Sequence, residues 1–286
     1  MTRLARWAAA FVVGGMVLTG AAGASSGVAA AAAGVAGPAV GPMIPAPPGP
    51  GISAQVQHPV ALSTNWSGYA VTSTSKFDSV QSDFIQPSMV CTGAPAQFMA
   101  AWVGLDGFKD QTVEQDGTFA ICTGKNHKTP AYVAWYEMYP AGSVEVFPVN
   151  AGDEIQPSVT FGSGTFTLSI ADVTTAQSQS ITAACKSCHR ASAEWIIERP
   201  ELCTKKGTCF LSALPDFDTA TLSTDTATTE ATPTAAPISS FTDTPIDMIQ
   251  PKGPSVELLD QTGPLGATGD IFSAQWERSG RRLPLS

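Results

Sequence analysis

The stretch QPSVTFGSGTFTLSIADV, residues 156–173, decides the fold class. It is rich in β-branched and aromatic residues, and FGSGTF at its centre has the composition of a tight turn between two strands. YVAWYEMY, AEWIIE and FSAQW have the same character, and Gly, Pro, Asn and Asp bound them. No window past residue 60 carries the apolar i, i+3, i+4, i+7 spacing of a helix. We therefore predict an all-β protein, an antiparallel β-sandwich with one core.

One segment does not fit a core strand. DTATLSTDTATTEATPTAAP, residues 218–237, is polar and rich in threonine. We predict that it forms a loop or an edge of the sandwich.

The N-terminus predicts export. Two arginines precede an apolar run that ends at Ala22-Gly23-Ala24, which is the pattern of a secretory signal with a small-residue cleavage site. Residues 1–24 are therefore predicted to be a signal peptide. The Ala/Gly/Pro-rich residues 25–60 cannot form a packed element and are predicted to be a propeptide or linker. The folded domain is placed at 61–286, and no later segment is apolar enough to span a bilayer.

Composition excludes some partners and suits an acid environment. The net charge is −9, and charged residues make up only 14% of the chain. A nucleic-acid-binding face needs a basic patch, so nucleic acid is not expected as a partner. Few carboxylates have to be neutralised as the pH falls, which suits a secreted protein that works in acid. We expect a monomer that binds no membrane once the signal is removed.

The cysteines are even in number and predicted to be exported, so disulfides are expected. The six are Cys91, Cys122, Cys185, Cys188, Cys203 and Cys209. Six cysteines allow fifteen connectivities. The simplest set joins the two local pairs and leaves Cys91 with Cys122.

The sequence lacks the residues that several other kinds of catalytic or cofactor chemistry require. CKSCH at 185–189 matches a c-type haem attachment motif, but a disulfide loop before a histidine explains it in a β context. The cysteine spacing lacks the second C-x2-C of a zinc ribbon. The three histidines lie in polar loops or at the propeptide edge, and there is no G-x-S-x-G elbow and no Asp-Thr/Ser-Gly loop. No metal or cofactor is expected.

Carboxylate chemistry remains possible, because several acidic residues lie on strands that also carry aromatic side chains. Glu137 shares a strand face with Trp135, Glu198 lies four residues after Glu194, and Trp102 is in step with Asp106. Gln115 lies on another short strand in TVEQDGTF. Acids beside aromatic residues are typical of a substrate groove.

These motifs resemble the glutamic peptidases, the eqolisins, and their bacterial relatives. The matching stretches, in order, are NWSGYAV (65–71), AWVGLDGF (101–108), VEQDGTF (113–119), AYVAWYEMYP (131–140), AEWIIERP (193–200) and PIDMIQ (245–250). The resemblance implies a lectin-like sandwich of two large curved sheets with a groove on the concave face. It implies an endopeptidase active in acid that cleaves proteins or peptides.

Residue by residue, the resemblance places the catalytic glutamine at Gln115 and the catalytic glutamate at Glu198, not Glu194. It places supporting groove residues at Trp102, Asp106, Trp135 and Glu137, and we expect Asp106 and Glu137 to orient the pair or share protons with it. Three features depart from the fungal pattern: Met138, the acidic Glu114 before the glutamine, and both cysteine loops.

Two alternatives remain open from the residues. A glycoside hydrolase on a lectin-like sandwich would use Glu137 and Glu198 as its carboxylate pair. A carbohydrate-binding sandwich without catalysis would need neither. Only the peptidase gives Gln115 a necessary role.

Overall fold

The structure is a computed structural model, and it describes residues 60–204 and 206–285. The predicted signal peptide, 1–24, and all but the last residue of the predicted propeptide or linker, 25–60, lie outside these residues.

The described residues form strands and a single short 3-10 helix, Ile238–Ser240. The first ten strands are β1 (Ala61–Ser63), β2 (Trp66–Thr72), β3 (Phe77–Ile85), β4 (Phe98–Leu105), β5 (Val113–Thr123), β6 (Thr129–Tyr139), β7 (Val144–Val149), β8 (Glu154–Gly162), β9 (Thr165–Asp172) and β10 (Gln177–Ala183). The others are β11 (Ser192–Glu198), β12 (Glu201–Cys203), β13 (Cys209–Leu211), β14 (Thr219–Thr229), β15 (Thr232–Pro237), β16 (Thr242–Lys252), β17 (Ser255–Thr262), β18 (Ile271–Trp276) and β19 (Leu283–Pro284). In this part of the chain, no helix has the length and apolar character needed to cross a membrane.

Most strands follow one hydrogen-bonded path. Its order is β10-β9-β8-β3-β14-β18-β17-β16-β2-β11-β4-β5-β6-β7, and β15 adds to β14. Neighbours along the path are antiparallel, while the short β1 pairs with β16 in parallel. Strands β12, β13 and β19 form a separate small sheet.

The path folds back so that its two halves pack face to face. One half, from β10 to β18, contributes side chains such as Val80, Ile155 and Leu168 to the main core. The other half contributes Val103 and Trp195, and the Trp195 indole donates to the Gln81 carbonyl on β3 at 2.8 Å. Burying one such large apolar side chain contributes about 1.5–3 kcal/mol. The predicted antiparallel β-sandwich is confirmed.

The hairpin at the centre of 156–173 is also confirmed. Strands β8 and β9 are joined by Ser163-Gly164 alone, and both residues have positive φ, 53° and 82°. A two-residue turn with two positive φ values matches the right-handed twist of its strands, and glycine takes this conformation at little cost. Buried residues alternate along β9, so one face of this hairpin packs on the core.

The prediction for residues 218–237 is wrong in its first half. Strand β14 lies inside the sheet, with β3 on one side and β18 on the other. Ala220, Leu222 and Ala227 on β14 are buried in the core, while most of its threonines are on the opposite face. Two alanines and one leucine fill the core there, so the strand needs few large apolar side chains. Within residues 218–237, only β15 lies at an edge of the sheet.

Three disulfides crosslink the described residues, and they are the set that the sequence analysis gave as the simplest. Cys91–Cys122 ties the end of β5 to the loop before β4. Cys203–Cys209 joins β12 to β13, and Cys185–Cys188 closes the loop before β11.

Candidate active site

Six adjacent strands, β16-β2-β11-β4-β5-β6, and the loop after β4 carry a second cluster of buried side chains. They lie on the opposite side of this half of the path from the main core. We call this side the site face. Its apolar members are Trp66, Ala70, Ala100, Trp102, Phe108, Val113, Phe119, Trp135, Ile196 and Ile246. Alternation along β5 and β11 places Gln115 and Glu198 on the same face.

Gln115 is held by Glu137. The two residues are directly opposite in the β5–β6 ladder, and the Gln115 Nε2 donates to the Glu137 Oε2 at 2.6 Å. Both side chains are fully buried. The sequence analysis named both residues, and the register brings them into contact because each is on the site face of its strand.

Glu198 ends β11 and is held by two donors. The Trp102 Nε1 donates to its Oε2 at 3.0 Å, and the Asn65 Nδ2 donates to its Oε1 at 3.2 Å. Burial raises the pKa of Glu198 well above its usual value, and the negative charge of Glu137 raises it further. The two hydrogen bonds oppose this shift because they stabilise the ionised carboxylate.

Trp102 connects the two ends of the site. Glu198 lies four residues further along the strands than Gln115, an offset of about 13 Å in the strand direction, and β4 lies between their two strands. Trp102 is in the row between them. Its Nε1 reaches Glu198, while a Cβ placed on Gly104, in the row of Gln115, would lie 2.9 Å from its Cζ3. Trp102 therefore lies beside both ends of the site.

Glycine makes room for this tryptophan. A Cβ on Gly117, which pairs with Trp102, would lie 2.1 Å from the Ala101 carbonyl oxygen and 2.6 Å from the Trp102 Cβ. No side chain fits there. The aromatic floor continues on both sides, since Trp66 meets the Trp102 ring edge-on at 5.0 Å and Phe119 stacks on Trp135 at 4.6 Å. Such pairs favour fixed ring orientations.

Asp106 makes its hydrogen bonds outside the Gln115–Glu198 pair. Its carboxylate accepts backbone N–H groups from His189, Arg190 and Ala191 at 2.6–2.8 Å. The expectation that Asp106 orients Gln115 or Glu198 is not met by these hydrogen bonds, which shape the loop between Cys188 and β11. Sequence spacing placed Asp106 in step with Trp102, but the positive φ of 70° at Asp106 ends the strand alternation there.

Asn65 is a site residue to which the sequence analysis gave no role. It lies in the quoted stretch NWSGYAV, next to Trp66, and the Ser63 hydroxyl donates to its Oδ1 at 3.0 Å. Its amide then points its Nδ2 at Glu198. The stretch NWSGYAV was the sequence signal that could have found Asn65, but only the pairing of β2 with β11 shows that its side chain contacts Glu198.

Two groups in the described residues bring together three potential metal ligands, Glu114 with Cys185 and Cys188, and Glu201 with Cys203 and Cys209. All four cysteines are in disulfides, so their sulfurs are not thiolate ligands. The same bond between Cys185 and Cys188 explains CKSCH without haem.

An all-β sandwich with a buried glutamine and buried carboxyls on one aromatic face agrees with what the resemblance to the glutamic peptidases implies. Among solved structures, scytalido-glutamic peptidase with a peptide-based transition state analog has 25% identity and a TM-score of 0.62, covering 75% of this chain and 98% of that one. SCP-B, described as an eqolisin in complex with the tripeptide Ala-Ile-His, has 24% identity, the same coverage and a TM-score of 0.61. Aspergilloglutamic peptidase from Aspergillus niger has 24% identity and a TM-score of 0.50, covering 63% and 99%. No curated protein matches.

The sequence model of the Peptidase A4 family matches residues 64–260, and the chain belongs to that family. The protein is therefore a glutamic peptidase, and its substrates are proteins or peptides. The family favours this activity over the glycoside hydrolase and the carbohydrate-binding sandwich that the residues alone left open.

Proposed function

We propose that Gln115 and Glu198 are the catalytic pair of an endopeptidase that works in acid, and that a water molecule bound between them attacks the scissile carbonyl. The observation that carries this proposal is the shared neighbourhood of Glu137 and Trp102. Glu137 accepts from Gln115 and acts electrostatically on Glu198, and Trp102 donates to Glu198.

The two side chains suit complementary roles. Gln115 does not titrate, and its amide N–H groups can donate to the oxyanion that develops as water adds to the carbonyl. Its carbonyl oxygen can hold the attacking water. Ionised Glu198 takes a proton from that water, and the resulting carboxylic acid passes it to the leaving amine. The peptide bond breaks, one water is consumed, and Glu198 returns to its starting form.

The environment of Glu198 suits both halves of this cycle. Burial favours the protonated carboxylic acid, which the leaving amine needs. The donors Trp102 and Asn65 keep the ionised form within reach, which the water needs. The proton that Glu198 gives to the amine is the one it took from the water, so the rate is expected to rise with pH as Glu198 ionises.

Glu137 and Trp102 support the pair in this proposal. Glu137 fixes one end of the Gln115 amide, and Trp102 fixes the Glu198 carboxyl. Trp135 lines the aromatic floor beside them. We further propose that the protein is secreted, that residues 25–60 are removed or serve as a linker, and that the secreted form is a monomer. N-terminal sequencing and light scattering of the secreted protein test these points.

Replacing each member of the pair tests the proposal. Gln115→Ala should reduce casein digestion by at least about a hundredfold, since losing a single oxyanion donor typically costs that much. Glu198→Ala should do the same, since general acid–base catalysis contributes about 10²–10⁴-fold. The exposed residues Gln179 and Glu277 supply matched controls, and their alanine variants should keep full activity. A folded Glu198→Ala protein that digests casein at the wild-type rate would remove the assignment.

A further inference from the structure

Ser63 carries a buried hydroxyl beside the site, and the proposed mechanism gives it no role. It is the last residue of β1, and only 3% of its surface is exposed. The chain then turns through Thr64 and Asn65 into β2. Ser63 therefore belongs to the turn that carries Asn65, one of the two residues that donate to Glu198. A buried hydroxyl needs partners, and those of Ser63 determine how Asn65 is held.

The Ser63 hydroxyl uses all of its hydrogen-bonding positions. Its oxygen accepts the backbone N–H of Asn65 at 3.2 Å and the backbone N–H of Trp66 at 3.0 Å. A hydroxyl has two lone pairs and one proton, so both acceptor positions are then occupied and the proton remains to be donated. The acceptor of that proton is the Asn65 Oδ1 at 3.0 Å. The backbone therefore fixes the direction of this hydrogen bond.

The bond from Ser63 fixes the orientation of the Asn65 amide. An amide has a carbonyl end, which only accepts, and an NH₂ end, which only donates. Because the Oδ1 is turned to Ser63, the Nδ2 is the end that faces Glu198, and it donates to the Glu198 Oε1 at 3.2 Å. A reversed amide would place its oxygen against the carboxyl, an arrangement that suits only protonated Glu198. The hydroxyl thus makes Asn65 a residue that stabilises the ionised form of Glu198.

The backbone of the turn is held independently of Ser63. The Arg199 backbone N–H donates to the Asn65 carbonyl at 3.0 Å, and the Arg199 Nε donates to the Thr64 carbonyl at 2.6 Å. Arg199 is fully buried, and its Nη1 donates to the Arg281 carbonyl at 3.2 Å. Removing the Ser63 hydroxyl should therefore allow the Asn65 amide to turn over while the turn itself stays in place.

The charges around Glu198 do not depend on Ser63. The negative charge of Glu137, on β6, acts on Glu198 and raises its pKa. The guanidinium of Arg199, the next residue in the chain, is turned to backbone carbonyl groups instead. The residues paired with Glu198, Trp66 on β2 and Ala100 on β4, carry no charge. A substitution at Ser63 therefore changes a hydrogen bond and leaves every one of these charges as it is.

We propose that Ser63 is a positioning residue for Glu198 and acts through the Asn65 amide. Its hydroxyl holds the NH₂ end of that amide toward Glu198, so that the carboxylate has a second donor beside Trp102. The inference rests on the proposed pair, because it concerns the form of Glu198 that takes a proton from the water.

Two substitutions separate this role from loss of structure. Ser63→Ala removes the hydroxyl, whereas Ser63→Thr keeps one. With a peptide substrate, we expect the acid limb of kcat to move to higher pH by about 1 unit in Ser63→Ala, because the ionised carboxylate loses a donor. At a pH on that limb, kcat then falls about tenfold while KM stays within about threefold. Ser63→Thr should keep the wild-type profile.

A double-mutant cycle tests whether Ser63 acts through Asn65. Asn65→Ala removes the amide itself and should move the acid limb at least as far as Ser63→Ala does. Adding Ser63→Ala to Asn65→Ala should then cause no further shift. Ser212→Ala is the matched control, since this buried hydroxyl donates to the Phe98 carbonyl at 3.3 Å and not to Asn65. Its loss should leave the acid limb in place.

Several results would overturn the inference. One is an acid limb of folded Ser63→Ala that overlaps that of the wild type, and another is an equal shift in Ser212→Ala. A Ser63→Thr protein with the wild-type melting temperature and the profile of Ser63→Ala would do the same, as would a further shift when Ser63→Ala is added to Asn65→Ala. The Glu198→Ala variant separates the two levels: if it is active, the proposed pair fails, whereas an inactive Glu198→Ala beside an unshifted Ser63→Ala rejects the role of Ser63 alone.

Nuclear magnetic resonance of the wild type keeps the test independent of the Ser63 variants. The side-chain NH₂ signal of Asn65, identified by its loss in Asn65→Ala, should change with pH over the same range as the acid limb of kcat, because its Nδ2 donates to the group that titrates. A signal that stays constant across that range would contradict the proposal.

Discussion

Replacing Trp102 by phenylalanine removes one hydrogen bond to Glu198 and leaves the ring in place. The indole Nε1 donates to the Glu198 Oε2 at 3.0 Å, and both side chains are fully buried. Phenylalanine keeps the apolar contact with Trp66 but has no donor. The perturbation therefore acts on the charge state of Glu198 more than on the fold.

The magnitude follows from the kind of bond. A hydrogen bond to a charged group contributes about 1.5–3 kcal/mol, and 1.36 kcal/mol corresponds to one pKa unit. The lost donor stabilised the ionised carboxylate, so its removal raises the pKa of Glu198 by about 1–2 units beyond the rise that burial already causes. A higher pH is then needed to reach the same ionised fraction. The acid limb of kcat should move to higher pH by about 1–2 units.

The assay is kcat against pH, from pH 2 to 7, on a peptide substrate. Trp135→Phe is the matched control, because the Trp135 Nε1 has no hydrogen-bond partner within the described residues and the side chain lies on the same face. Its acid limb should coincide with that of the wild type. Overlapping acid limbs for wild type and a folded Trp102→Phe would refute the reasoning, as would equal shifts in both variants.

Two further predictions concern stability. Burial raises the pKa of Asp260 to about 7, so the contribution of its protonated carboxyl to the unfolding free energy is full below about pH 4 and is lost as the pH rises through 7. Asp260→Asn cannot ionise, so the unfolding free energy measured by chemical denaturation should fall less between pH 4 and 7, by at most about 4 kcal/mol. The same fall in the wild type and the variant would contradict this. Gly117→Ala should lower stability by about 3 kcal/mol and displace Trp102, whereas Gly142→Ala, whose added Cβ meets nothing within 4 Å, should change the melting temperature little; equal melting temperatures would show that the sheet yields at Gly117.

The sequence predicted the class of fold well because most of its strands carry strong local signals. The hairpin of β8 and β9 is set by Ser163-Gly164 and by strict alternation in β9, and both signals are local. Strand β14 was missed because alanine and threonine carry little local preference for a core strand. Its place depends on β3 and β18, which are distant in the sequence.

The site was predictable in its members and less so in its contacts. Alternation and motif placed Gln115, Glu137 and Glu198 on one face, but only the register shows that Gln115 bonds Glu137 while Glu198 bonds Trp102. The hydrogen bonds of Asp106 to the loop before β11 could not be read from strand alternation, which does not extend past its left-handed backbone. Such contacts are set by the pairing of strands and turns, which no single stretch encodes.

The long hydrogen-bonded path has a consequence for a protein that digests other proteins, because every molecule is also surrounded by copies of itself. A peptidase cleaves an extended segment that can leave its surroundings, and here most segments are bonded to a neighbour on each side. The loops at Cys185–Cys188 and Cys203–Cys209 are closed by covalent bonds, so a cut there would not release an end. Within the paired strands, a self-inflicted cut therefore requires a strand to detach from its neighbours first, so the architecture that positions the site also protects those segments.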